Sequence, residues 1–143
     1  MIYSCCDDNR RAAVLNNPVL NAIDYLELLD DPNLFGTPAQ QTLLLTCLKP
    51  VLIQLTPLNI LINGGESITG ITALWVGPAG PTIAQQPPQI NAESPQLAAY
   101  LAGLPSSANI VVIRVSAMGD FSPYSLSLVN SIAGATSDSF AVT

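Results

Sequence analysis

The chain has 143 residues, is 49% hydrophobic and only 10% charged, and carries ten acids against four bases for a net charge of −6. Ordinary soluble domains hold about 25% charged residues, so disorder is excluded by ample apolar content, and no apolar run approaches the ~18 residues of a membrane helix. Four cations cannot supply the many phosphate contacts of nucleic-acid or anionic-membrane binding, and the absence of histidine removes the commonest general base and metal ligand.

Six of the ten acids fall within residues 7–31, so the N-terminal segment, residues 1–38, is acidic and the remainder nearly neutral. Asp7 and Asp8 ahead of Asn9-Arg10-Arg11-Ala12-Ala13-Val14-Leu15 predict a short helix, the acids complementing the positive end of its dipole. Asn16-Asn17-Pro18 ends it. Residues 23–28, Ile-Asp-Tyr-Leu-Glu-Leu, alternate as a strand. Asp30-Asp31-Pro32-Asn33 and Gly36-Thr37-Pro38 read as loop.

Residues 41–48 form a strand by pattern, with Leu43, Leu45 and Cys47 on one face and Thr42, Leu44 and Thr46 on the other. Leu58, Ile60 and Ile62 alternate with Asn59 and Asn63 as a further strand. Asn63-Gly64-Gly65-Glu66 then offers the positive-φ residues of a tight hairpin or β-turn. Residues 67–69 and 71–76 continue extended, with Gly70 suggesting a bulge or short connection. Residues 77–95 are proline-rich and read as a long surface loop. A helix follows, with Ser94 as N-cap, Pro95 in its first turn and Gly103 past its end. Leu97, Tyr100 and Leu101 share one face of it, as expected for a helix packed across a sheet edge.

Ile110-Val111-Val112-Ile113-Arg114-Val115 is the strongest strand and reads as central. Tyr124, Leu126 and Leu128 alternate with serines as a half-buried strand, and the two runs are expected to form a hairpin. A last short strand is expected near residues 139–142. Short strands with turn signals and only one or two short helices predict a single mainly β domain over residues 1–143. The closest architecture is an antiparallel immunoglobulin- or fibronectin-like β-sandwich.

The candidate chemistry is thin. Asp7/Asp8, Asp24/Glu27 and Asp30/Asp31 are carboxylate pairs, but none has the spacing of a calcium loop, and helix capping or solvated turns account for them. The glycines match no phosphate-binding pattern, and serines lack a base. Cys5, Cys6 and Cys47 are odd in number and lack metal-ligand spacing, so they read as thiols of a chain made in a cytoplasm. No catalytic, cofactor or metal residues are therefore assigned. Trp75, Tyr100 and Tyr124 are the aromatics a carbohydrate- or host-surface-binding sandwich would use, the alternative reading. A neutral sheet with few lysines is weakly protected against an added strand, which suits a surface fitted to other proteins.

Several segments, in order along most of the chain, resemble the start of the baseplate assembly proteins of contractile phage tails and phage-tail-like injection systems. They are Cys5-Cys6-Asp7-Asp8-x-Arg10-Arg11, then Leu20-Asn21-Ala22-Ile23-Asp24-Tyr25-Leu26-Glu27-Leu28, Gln41-Thr42-Leu43-Leu44, Leu48-Lys49-Pro50 and Asn59-Ile60. Gly64-Gly65-Glu66-Ser67-Ile68 and Gly119-Asp120-Phe121-Ser122-x-Tyr124-x-Leu126 complete the set. The resemblance implies a structural β-domain of a baseplate, without catalytic or cofactor residues. Its expected partners are other baseplate and tail proteins in a multi-copy assembly, reached from a bacterial cytoplasm, with neither nucleic acid nor membrane insertion involved. The expected docking surface is Asp7, Asp8, Arg10, Arg11, Asp24 and Glu27, whose charges would set register and orientation.

Overall fold

A computed structural model describes residues 2–4, 8–18, 20–51, 55–79, 94–120, 122–129, 136–137 and 139–141. Its elements in chain order are β1 (Ile2–Ser4), α1 (Asp8–Asn16), β2 (Leu20–Leu28), α2 (Pro32–Phe35), β3 (Thr42–Cys47), β4 (Ile60–Gly64), β5 (Ala73–Pro78), α3 (Pro95–Ala102), β6 (Ile110–Val115), β7 (Tyr124–Val129), β8 (Thr136–Ser137) and β9 (Ser139–Ala141). The chain is mainly β, every described pairing is antiparallel, and the helices are short.

The larger sheet runs β1-β2-β3-β6-β5, and β9 also pairs with β2; the smaller runs β4-β7-β8. β-branched β6 lies between β3 and β5, as its composition predicts for a strand covered on both faces. On one face, Leu44, Ile110 and Val112 pack with Phe35 of α2 and with Leu97, Ala98 and Leu101 of α3. On the other, Leu43, Leu45, Val111, Ile113 and Val115 pack with Ile60 of β4 and Leu128 of β7. The central strands are thus covered by helices on one side and by the smaller sheet on the other. α3 lies over the face of this sheet rather than across its edge.

The capping signals at α3 hold in detail. Ser94 Oγ accepts from the amides of Gln96 at 3.1 Å and Leu97 at 3.3 Å. The same logic makes a helix where a loop is expected, within residues 30–38. Asp31 Oδ1 accepts from Asn33 N at 2.9 Å and Leu34 N at 3.2 Å. Pro32 opens the turn, and Gly36 closes it at φ 67°.

Two expected connections and one expected strand boundary differ in the structure. Gly64 and Gly65 do take positive φ, 117° and 92°. Of the two forms expected, hairpin or β-turn, the hairpin is not formed: β4 pairs with β7, from Ile60 opposite Leu128 to Gly64 opposite Tyr124. Likewise β6 and β7 form no hairpin, because β6 pairs with β3 and β5 while β7 belongs to the smaller sheet. Finally, Leu58 sits in a 3-10 turn, Pro57–Asn59, with its side chain 73% exposed, and is not part of β4. Of the expected 77–95 loop, Gly77 and Pro78 end β5, while residues 80–93 lie outside the described residues.

Candidate functional site

Two segments far apart in sequence close on one another at the end of the smaller sheet. Asp120 Oδ2 accepts from three consecutive amides, Glu66 at 3.1 Å, Ser67 at 2.7 Å and Ile68 at 2.9 Å. Its Oδ1 accepts from the amide of Ser122 at 2.8 Å and from the Ser122 hydroxyl. Ser122 Oγ in turn accepts from Glu66 N at 3.0 Å. The Tyr124 hydroxyl accepts from Asp120 N at 2.9 Å and donates to the Ile68 carbonyl at 2.7 Å. Hydrogen bonds to its charged form, from Ser122 first and then from the backbone, hold the Asp120 carboxyl well below the ordinary range.

Glycine is required at this junction. A Cβ on Gly65 would collide with the Ile68 carbonyl and stand 2.9 Å from the Tyr124 hydroxyl. One on Gly119 would come within 2.7 Å of the Tyr124 ring.

A second junction joins β2 to the segment after β3. Asn21 is fully buried. Its Nδ2 donates to the Lys49 carbonyl at 2.9 Å, and its Oδ1 accepts from Lys49 N and Ala22 N, each at 2.9 Å. The Lys49 ammonium donates to the Asn17 carbonyl just beyond α1.

The expected docking residues divide between two places. Asp8, Arg10 and Arg11 lie on α1, with Asp8 in its first turn. Arg11 forms an ion pair with Asp24, which stands at the irregularity of β2 between Ile23 and Tyr25. Glu27 goes elsewhere: its carboxylate lies beside the Tyr100 phenol of α3. Burial, with Glu27 and Tyr25 nearby, raises the Tyr100 phenol above its ordinary value. Asp7, Cys5 and Cys6 lie outside the described residues.

The three candidate stacking aromatics do not share a surface. Trp75 and Tyr100 pack on the helix-covered side, where Tyr100 meets Phe35 edge-on with centroids 4.9 Å apart. Tyr124 packs on the opposite side, its hydroxyl engaged by the Asp120 junction. Cys47 is buried, and burial, followed by the charge of Asp24, pushes its thiol up to about 12, far from nucleophilic. Among the described residues, no three His, Cys, Asp or Glu side chains group to hold a metal ion. No helix among them is long and apolar enough to cross a membrane.

The polar residues with the most specific geometry are therefore Asp120, Tyr124 and Asn21, none of them in the expected docking set. Their signals were the Gly-Asp-Phe-Ser-x-Tyr and Leu-Asn-Ala segments, whose partners no local pattern reveals.

Fold and junctions together define a class: a mainly β domain whose most ordered polar clusters lock distant backbone segments to one another. The chain belongs to the family described as phage baseplate assembly protein, N-terminal domain, whose model matches residues 1–141. Membership implies a structural phage component that meets other baseplate proteins and enters the virion. No curated protein and no solved structure gives a significant match.

Proposed function

We propose that the domain is a non-enzymatic structural component of the baseplate or tail of a phage or phage-tail-like contractile particle. It is present there in several copies and acts through protein–protein contacts, without nucleic acid or membrane insertion. The observation that carries this reading is the family match over residues 1–141. The junctions support it: Asp120 and Asn21 bring four family-like segments together in pairs, and each does so by fixing backbone. Such residues maintain a shape, which is what a building block needs.

The docking surface we propose is centred on α1 and β2, with Asp8, Arg10, Arg11 and Asp24; we include Asp7 from the sequence alone and Glu27 although it lies toward Tyr100. The Arg11–Asp24 pair fixes α1 against β2, and an exposed pair of this kind contributes little to stability. Its role lies in orientation.

The test is the double variant Arg10→Glu/Arg11→Glu in cells that produce the particle. Wild-type chain should co-sediment with purified tails, and the variant should be depleted from them while its circular dichroism is unchanged. Equal incorporation of the variant removes this docking surface. Absence of the wild-type chain from tails removes the baseplate reading itself.

A further inference from the structure

The Asp120 junction orders a stretch of backbone that the sheets do not need for their own pairing. Residues 66–68 are exposed, yet their three amides are fixed on one carboxylate, and the Ile68 carbonyl is fixed on Tyr124. The two segments that meet here each carry an exposed large apolar residue: Ile68, 36% exposed, and Met118, 43% exposed, the latter two residues before Asp120. Glu66 is also exposed, two residues before Ile68. A rigid loop that already holds its bound shape avoids most of the ordering cost of association. Apolar side chains raised on such a support are the kind that anchor an interface.

From these observations we infer that residues 65–70 and 116–120 form a preformed docking epitope, with Ile68 and Met118 as apolar anchors and Glu66 at the rim. Its partner is a different protein of the particle, whose surface offers an apolar depression bordered by lysine or arginine. The inference rests on the baseplate reading and adds to it a second surface and the chemistry of its partner.

Charge selects that partner. Glu66 and Asp120 make this end of the molecule anionic, so a cationic rim is the complement. A second copy of this chain supplies it poorly. Its net charge is −6 with only four cations. These are engaged within the chain, as Arg11 is with Asp24, Lys49 with the Asn17 carbonyl, and Arg114 with Gln41.

The test places a photo-crosslinking benzoylphenylalanine at position 68 of the full chain, in particle-producing cells, and irradiates purified tails. The expected product joins this chain to another tail protein, at a peptide flanked by lysine or arginine. In parallel, Met118→Asp and Glu66→Lys should each lower incorporation about tenfold or more with unchanged thermal melting. Leu34→Asp, at a still more exposed position on α2, should incorporate normally. Crosslinks only to a second copy, no crosslink at all, or normal incorporation of both loop variants would each overturn the inference while the chain is still found in tails. A wild-type chain missing from tails defeats the baseplate reading first and this inference with it.

Discussion

Asn21 binds both backbone polar groups of Lys49 through its own side chain, receiving the Lys49 amide on Oδ1 and giving Nδ2 to the Lys49 carbonyl, each at 2.9 Å. A primary amide can do this because it presents a donor and an acceptor side by side, imitating a neighbouring strand. The residue is fully buried, so no water stands ready to replace it.

Replacing Asn21 with leucine keeps the branching and the number of heavy atoms, adds bulk, and removes the mimicry. The Lys49 amide and carbonyl and the Ala22 amide would then lose a buried partner, at a cost of about 2–4 kcal/mol. Urea unfolding should show a lower midpoint with an unchanged slope. An unchanged midpoint would mean that the β2–β3 junction relaxes freely.

The acid limb of stability should belong in part to Asp120. Its folded carboxyl titrates below the ordinary 3.8, so between the two values the unfolded chain binds more protons. Its contribution is therefore complete above about pH 5 and is lost as pH falls toward the folded value. Asp120→Asn should unfold at lower urea than wild type at pH 7, and the gap should close as pH is lowered from about 5 to 2. A gap that stays constant with pH would show that the carboxylate charge is not what holds residues 66–68.

How much of this was legible in the sequence depends on the range of each signal. α3 was readable because Ser94 acts on amides two and three residues beyond the cap and Pro95 stands in the first turn with its φ already set. β6 was readable because its β-branched run needs no partner to be recognised. The pairing of β4 with β7 was not. Asn-Gly-Gly before an extended run satisfies a hairpin as well as it satisfies the observed turn, and what decides between them is a carboxylate 52 to 54 residues away. The same holds for the candidate site. Arg11 with Asp24 follows from a helix laid beside the strand it precedes. By contrast, Glu27 turns to Tyr100, on a helix whose place over the sheet no local pattern gives.

Gly65 and Gly70 separate two reasons for a glycine. Both have positive φ, 92° and 70°. At Gly70 an added Cβ meets nothing within 4 Å. Gly70→Ala should therefore cost only the left-handed backbone penalty, about 1–2 kcal/mol. At Gly65 the Cβ also runs into the Ile68 carbonyl held by Tyr124. Gly65→Ala should accordingly cost at least about 1 kcal/mol more. Chemical denaturation of the two variants side by side checks the order. Equal losses would show that the 65–68 turn yields without resistance.

Leu44 and Leu45 test the layering directly. A strand with one solvent-facing side would lose much stability on truncation at one of these positions and little at the other. Here Leu44 is 2% exposed beneath the helices and Leu45 is 0% exposed beneath the smaller sheet. Each leucine-to-alanine change should therefore destabilise by about 2–5 kcal/mol, the range for a buried leucine whose site collapses only in part. The two losses should differ in what they loosen. Leu44→Ala should speed amide exchange most in α3, whose Leu97 and Leu101 pack in the same cluster. Leu45→Ala should speed it most in β4 and β7, whose Ile60 and Leu128 pack on the other side. A Leu44→Ala variant with wild-type stability would mean that the helices only rest on the sheet, and the central strands would then have a single core rather than one on each face.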